Sequence, residues 1–210
     1  IFNREASKKQ AAKYGRRDSE WEFGTNPCSE IILRPYQFCN LTEVVVRATD
    51  TIESLERKVR CATILGTIQS SYTKFPYLRK VWQRNTEEER LLGVSLTGIM
   101  DNPLMTTTNK GLEKTLETLR KLSVSTNHLW SARLGIPAST AITCVKPSGT
   151  VSQLVDSASG IHARHSKYYI RTVRGDNKDP LTQFMKDQGV PSEPDVMKPD
   201  ATTVFSFPVK

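Results

Sequence analysis

The chain has no apolar run near the roughly 18 residues that a membrane-crossing helix requires, and no signal peptide or low-complexity linker. It has only four cysteines and no Cys-x-x-Cys pair. That number is too small for a secreted disulfide scaffold, and the missing pair argues against a structural zinc site. No internal repeat is present. What remains is a composition of 37% hydrophobic and 25% charged residues over 210 positions, which excludes a fibrous chain and a wholly disordered one. A chain of this length makes one large domain or two small ones and hides roughly 70% of its unfolded surface. The expected setting is cytoplasmic and reducing. The chain opens at Ile1 directly into helix-like sequence, as a piece of a longer protein would.

Basic residues exceed acidic ones by 30 − 22 = 8. Such an excess suits phosphate, a nucleotide or nucleic acid, or else an unpartnered basic face. Residues 3–17 carry Arg4, Lys8, Lys9, Lys13, Arg16 and Arg17 at a spacing that predicts a surface helix with a charged outer side. No aromatic platform is interleaved with these cations, which counts against a nucleic-acid-binding module.

Along the chain, an apolar segment from Trp21 to Leu33 is interrupted by a polar loop at 25–30. Asp50-Thr51-Ile52-Glu53 reads as a capping box ahead of a helix with Leu55, Val59, Ala62, Ile64 and Leu65 on its apolar side. Leu91 to Ile99 reads as a buried strand with two glycines for close backbone approach. A long helix is expected over Asn109 to Leu134, with a stripe of Leu112, Leu116, Leu119, Leu122 and Leu129, ended by Gly135. Strands follow at 141–145, 168–173 and 204–207, and a helix starts at Asp179-Pro180. Alternating strands and helices predict an α/β fold with a mainly parallel sheet or barrel.

Two loops carry chemistry. In an extended loop, residues two apart point the same way, so Asn26, Cys28 and Glu30 would face one substrate together. A carboxylate disfavours thiolate, and none of the three histidines, His128, His162 and His165, lies near this loop in sequence. The trio therefore suits a neutral thiol that gives up a hydrogen atom better than a thiolate nucleophile. The bland alternative is a buried cysteine in an Asn-Pro turn. The second loop is Ser148, Gly149, Thr150, Val151 and Ser152, between a strand and a helix. Lys146, Arg164, Lys167, Arg171 and Arg174 flank it against Asp156 alone. Its amides and hydroxyls would suit a phosphate, or would simply cap a helix. Cys61 and Cys144 read as core cysteines, and His162 and His165 as surface or structural residues that could also contact phosphate or cofactor. No metal ligand set is expected.

Taken together, IFNREA, NPCSEI with QFCNLTEV behind it, LLGVSLTGIMD and CVKPSGTVSQLVDSASGIHARHSKYYIRTVR resemble the catalytic barrel of ribonucleotide reductases over nearly the whole chain. The class II, adenosylcobalamin-dependent enzymes are the most similar. Pro27 and the short step from Cys28 to Cys39 favour that class over class I, which uses a separate radical-generating subunit. The resemblance implies an α/β fold comprising about half of a ten-stranded barrel, with a cysteine loop inside it and residues 1–210 as one fragment of that domain. It implies radical reduction of a ribonucleotide, di- or triphosphate, to the 2′-deoxy product. Cys28 matches the thiyl cysteine, Glu30 the carboxylate that takes the 3′-hydroxyl proton, and Asn26 a substrate hydrogen-bonding residue. Cys39 matches one of two cysteines that become a disulfide; its partner belongs to a barrel strand that nothing here matches. Ser148 to Ser152 match the substrate phosphate loop. The implied partners are the ribonucleotide, the rest of a reductase chain and thioredoxin or a similar dithiol, with no membrane and no direct nucleic acid.

Overall fold

The computed structural model describes residues 3–106 and 110–210. The chain divides into two compact units, Ile1–Ala163 and Arg164–Lys210.

In the first unit, α1 (Arg4–Ala12) starts where the Asn3 side chain accepts the amide of Ala6 at 3.0 Å. It is shorter than expected. The chain turns after Ala12, and Arg17 is carried inward rather than onto an outer face. The strands β1 (Gly24–Thr25) and β2 (Ile32–Leu33) form a small antiparallel hairpin. Next come β3 (Asn40–Val45), α2 (Ile52–Gln69), α3 (Lys80–Glu89) and β4 (Leu92–Thr97). A short 3₁₀ turn and α4 (Pro103–Thr106) lead on to α5 (Lys110–Leu134) and α6 (Thr150–Leu154).

The centre of this unit is parallel. β3 pairs with β4 from Asn40 opposite Leu92 to Val45 opposite Thr97, and Val94 bridges Thr143 on the far side. The segment 141–144 thus forms a third parallel line, with only that one bridge where a full strand was expected. α2 packs on one side of these strands, where Leu55, Val59 and Ala62 meet Val44, Leu92 and Val94 in the core. The cap of α2 differs from the expected one. Thr51 is the capping residue and Ser54 reciprocates, while Asp50 instead accepts from Ser54 Oγ and Lys58.

The long helix departs further from expectation. Of the leucine stripe, Leu119 is buried, but Leu116 and Leu129 are exposed. The buried side of α5 runs through Ser123, Thr126, Asn127 and Ser131 instead. These residues share the helical period, and they meet the small Thr63 and Thr67 of α2. Asn127 closes the seam, donating to Thr67 Oγ1 and Ser139 Oγ and accepting the Ser139 amide at 2.9 Å. A seam of small polar side chains, all but Thr126 Oγ1 hydrogen-bonded, lets two helices approach closely without large side chains. Gly135 ends α5 at φ +65°, with its amide on Ala132 and that of Ile136 on Ser131. The expected start at Asn109 lies outside the described residues.

The second unit is antiparallel, not parallel. β5 (Tyr169–Asp176), α7 (Pro180–Asp187), β6 (Ser192–Pro194) and β7 (Thr202–Val209) make a sheet of order β5-β7-β6, with β7 antiparallel to both neighbours. The helix crossover joins β5 to β6, and the short return from β6 slots β7 between them, a split βαβ arrangement. Alternation of strands and helices alone does not separate this from a parallel sheet. Asp179 caps α7 through the Leu181 amide, with Pro180 as its first residue, as the sequence predicts.

The core assignment gives a direct check. Leu55→Ala in the intact protein is expected to cost about 2–5 kcal/mol in denaturant unfolding, and Leu65→Ala less than about 0.5 kcal/mol because that side chain is 63% exposed. Equal losses would contradict the assigned face of α2.

Candidate active site on the hairpin and strand face

The loop between β1 and β2 is folded, not extended. The Asn26 amide bonds Ile31 O, its Oδ1 accepts the Ile31 amide at 3.1 Å, and the Ser29 amide bonds Asn26 O at 3.0 Å. Ser29 sits at φ +61°. The alternation expected of an extended loop therefore does not apply; a tight turn sets where these side chains go. Asn26 holds the turn with its oxygen and keeps its amide NH₂ as a donor. Cys28 is exposed at the turn. Glu30 reaches back beneath the hairpin, where its Oε2 is buried without a hydrogen-bond partner.

The hairpin rests on one side of the strands at Gly93. A Cβ there would meet Leu41, the Cys144 sulfur at 3.1 Å and Ile31 at 3.1 Å. Only glycine lets the hairpin lie this low. Leu41 and Glu43 alternate onto this side from β3, with Ser95 opposite Glu43, and Cys39 immediately precedes the strand. Glu43 Oε1 and Ser95 Oγ are buried and unpartnered, like Glu30 Oε2. Unpaired polar atoms gathered on one side of a sheet are costly unless something binds them.

Burial pushes the Cys39 thiol up, and the nearby Cys144 and Glu30 push it further, with Arg17 opposing. Cys144 is pushed up to about 12 by burial, then by Glu30 and Glu43, with Lys146 opposing. Both therefore stay neutral thiols at physiological pH. They are not disulfide partners. β4 runs between their strands, and two strand spacings of about 4.8 Å exceed the ~7 Å Cα limit of a disulfide. Cys61 is exposed on α2, not a core residue. Its position falls beside the buried line of Leu55, Val59, Ala62 and Gly66.

The hairpin is tied down by a buried guanidinium. Arg17 bonds both Glu89 carboxylate oxygens at 2.9 and 2.8 Å and donates to Ile32 O of β2 at 2.8 Å. Gln37 bridges Arg17 and Glu89, and Arg34 joins through Asn85 and Glu88. The two ion-paired side chains are 4% and 6% exposed. Neither residue carries a sequence signal for this role. Glu43, by contrast, sits at the same alternation as Cys39 and could have been picked out.

The second loop lies at the carboxyl ends of β3 and β4. Gly160 N donates to Thr97 Oγ1, Ala158 N to Asp101, and Arg47 to the carbonyls of Val155 and Asp156. Ser148 and Ser152 are buried and bond each other's hydroxyl and backbone. The exposed part is Gly149, Thr150 and Val151, at the amino end of α6. The Ser152 amide of this first turn is taken by Ser148 Oγ, and the Ser152 hydroxyl bonds Ser148 O and Gly149 O, so only the amides of Gly149, Thr150 and Val151 are offered to an anion. His162 is exposed and contacts Ser159 O. Of the basic first-helix residues, Arg4 and Lys8 pair with Glu22 and Glu20. Among the described residues no group of three or more His, Cys, Asp or Glu side chains is placed to hold a metal ion, and no helix is long and apolar enough to cross a membrane.

No family model matches the chain. The adenosylcobalamin-dependent ribonucleoside-triphosphate reductase of Lactobacillus gasseri is 32% identical across 92% of this chain and 29% of the relative. The same-named protein of Euglena gracilis is 29% identical across 100% of this chain and 28% of the relative. A crystal structure of a B-12-dependent, class II ribonucleotide reductase superposes with a TM-score of 0.73 at 28% identity, over 89% of this chain and 29% of that one. The chain is homologous to a segment of the class II ribonucleotide reductases. It spans under a third of the length of these relatives. The hairpin with Asn26, Cys28 and Glu30 lies against the side of the strands near Cys39, while Ser148–Ser152 lie at the carboxyl end of the same parallel strands.

Thiol chemistry separates the four cysteines. At pH 8 a thiol near 12 is ionised to only ~10⁻⁴, so iodoacetamide is expected to label exposed Cys28 and Cys61 at least about a hundredfold faster than Cys39 and Cys144. The same raised values fix a sign for stability. The folded state resists ionising these thiols, so their contribution is complete below the ordinary value of 9.0 and is lost as pH rises toward about 12. Labelling of Cys144 in step with Cys61 would contradict the burial and charge assigned to it.

Proposed function

We propose that this chain forms the thiol-bearing part of an adenosylcobalamin-dependent ribonucleotide reductase that makes 2′-deoxyribonucleotides for DNA synthesis. The observation that carries the reading is the hairpin turn, which exposes Cys28 and sends Glu30 beneath it toward Cys39. The similarity to the named reductases supports it and weighs against a class I enzyme with a separate radical subunit. Residues 1–210 are then a fragment of the catalytic barrel, about half of its ten strands. The parallel lines of β3, β4 and 141–144, with α2 on one side and the hairpin on the other, suit that architecture.

Cys28 fits such a cofactor chemically, since it is an exposed thiol with no histidine beside it in sequence to draw off its proton. When bound, adenosylcobalamin supplies a radical by homolysis of its cobalt–carbon bond. Cys28 would give its hydrogen atom to that radical, take the 3′ hydrogen of the ribose, and return it to C3′ once the 2′ position is reduced. Glu30 takes the 3′-hydroxyl proton as the 2′ hydroxyl leaves as water, and the Asn26 NH₂ orients the sugar. Cys39, held neutral by burial, supplies a proton and one of the two sulfurs that become a disulfide. The second sulfur comes from outside this chain, because Cys144 is out of reach. Thioredoxin or a similar dithiol restores the pair, in a reducing, cytoplasmic setting that four free thiols suit. The backbone of Gly149–Val151, braced by Ser148 and Ser152, receives the substrate phosphate.

The test uses the intact protein with ribonucleoside triphosphates, adenosylcobalamin and a dithiol. Deoxynucleotide is expected only when all three are present. Cys28→Ser should abolish it while nucleotide affinity stays within about twofold. Gly149→Val should weaken nucleotide binding about tenfold or more. The new Cβ meets nothing within 4 Å in the protein, and an unchanged unfolding midpoint of the variant separates a loss of binding from a loss of fold. Product formed by Cys28→Ser, or without adenosylcobalamin, would overturn the reading.

A further inference from the structure

A second cleft lies between α1, the underside of the hairpin, α5 and the edge of 140–143. Its volume is about 180 Å³, and its walls include Tyr14, Arg16, Glu30, Arg120 and Thr140. It contains a mismatch. Arg16 Nε is a buried donor with no partner, and Glu30 Oε2 is a buried acceptor with no partner. The two opposite charges line one cavity, yet no ion pair joins them among the described residues. A second guanidinium, that of Arg120, stands beside Arg16. The Tyr14 ring lies between them, with its centroid 4.2 Å from the Arg120 carbon and 5.4 Å from that of Arg16. Arg120 is held in place by both oxygens of Glu117 at 2.8 and 2.6 Å.

We propose that this cleft binds a small oxyanion that also carries a hydroxyl, of the chemical class of hydrogen phosphate or a short hydroxy acid. The anionic oxygens would accept from Arg16 Nε and face Arg120, and the hydroxyl would donate to Glu30 Oε2. A guanidinium and a carboxylate held apart across a cavity match a ligand with an acceptor at one end and a donor at the other. The cleft shares Glu30 with the proposed reduction site. The electrostatics agree: burial lowers the Arg16 pKa, and Arg120 lowers it further, as expected of a guanidinium that lacks its counter-ion. Because Glu30 serves both, an occupied cleft would compete for the carboxylate that the proposed reduction needs.

The test is titration of the intact Gly149→Val protein with inorganic phosphate and, separately, with sulfate, followed by calorimetry. This background weakens the 148–152 loop and the arginine substitutions read the cleft alone, so a failure here is distinct from a failure of the reductase reading. Saturable phosphate binding is expected, weakened at least about tenfold by Arg16→Gln and by Arg120→Gln. Sulfate lacks a hydroxyl at neutral pH and should bind at least about tenfold more weakly than phosphate. That comparison stands even if an arginine variant fails to fold. Phosphate binding that is absent, indifferent to both substitutions, or equalled by sulfate would overturn the proposal and leave the cleft to water or to an acidic side chain.

Discussion

The buried contact of Arg17 with Glu89 is the constraint on which the candidate site depends. The Glu89 side chain holds Arg17, and Arg17 holds the carbonyl of Ile32 at the base of the hairpin. The Glu89 main-chain oxygen accepts the amide of Thr140 at 3.0 Å, at the start of the segment that carries Cys144 and leads to the 148–152 loop. One residue at the end of α3 therefore touches both the hairpin and the start of the segment that leads to the second loop. A buried ion pair contributes little net stability when its desolvation is counted, but removing one partner leaves a buried charge and costs about 3–5 kcal/mol. The role is positional: it keeps a short hairpin, too small to be stable alone, in one place over the strands.

That placement gives the thiols different characters. Cys28 projects from the turn and is accessible. Cys39 and Cys144 lie on either side of β4, where burial keeps both protonated, aided by Glu30 at each and by Glu43 at Cys144. Neutral thiols suit hydrogen-atom and proton donation, whereas thiolates suit nucleophilic attack. Gly93 sets how closely the hairpin can approach, so the packing of one glycine and the chemistry of three sulfurs are linked.

The two loops were legible in the sequence because their residue types are unusual and their spacing is fixed. The capped helices, the Gly135 stop and the central strand at 92–97 were legible because local rules govern them. Three features were not. The leucines of α5 misled because its buried side is made by Ser123, Asn127 and Ser131, whose packing depends on Thr63 and Thr67 in a distant helix. The antiparallel second sheet follows from where β7 inserts, which no local pattern records. Arg17 reads as one more surface cation, and only the fold brings it within reach of Glu89, 72 residues away. Long-range polar pairing leaves no periodic trace.

The most direct test of this account is hydrogen exchange in the intact protein with and without Arg17→Met. The account predicts that amides of the hairpin, Asn26 and Ile31 above all, exchange at least about a hundredfold faster in the variant, while those of α2 and α5 keep their protection. Unchanged protection in the hairpin would contradict it. So would an equal loss across the whole unit, since Arg17 would then hold the fold rather than place the loop that bears Cys28.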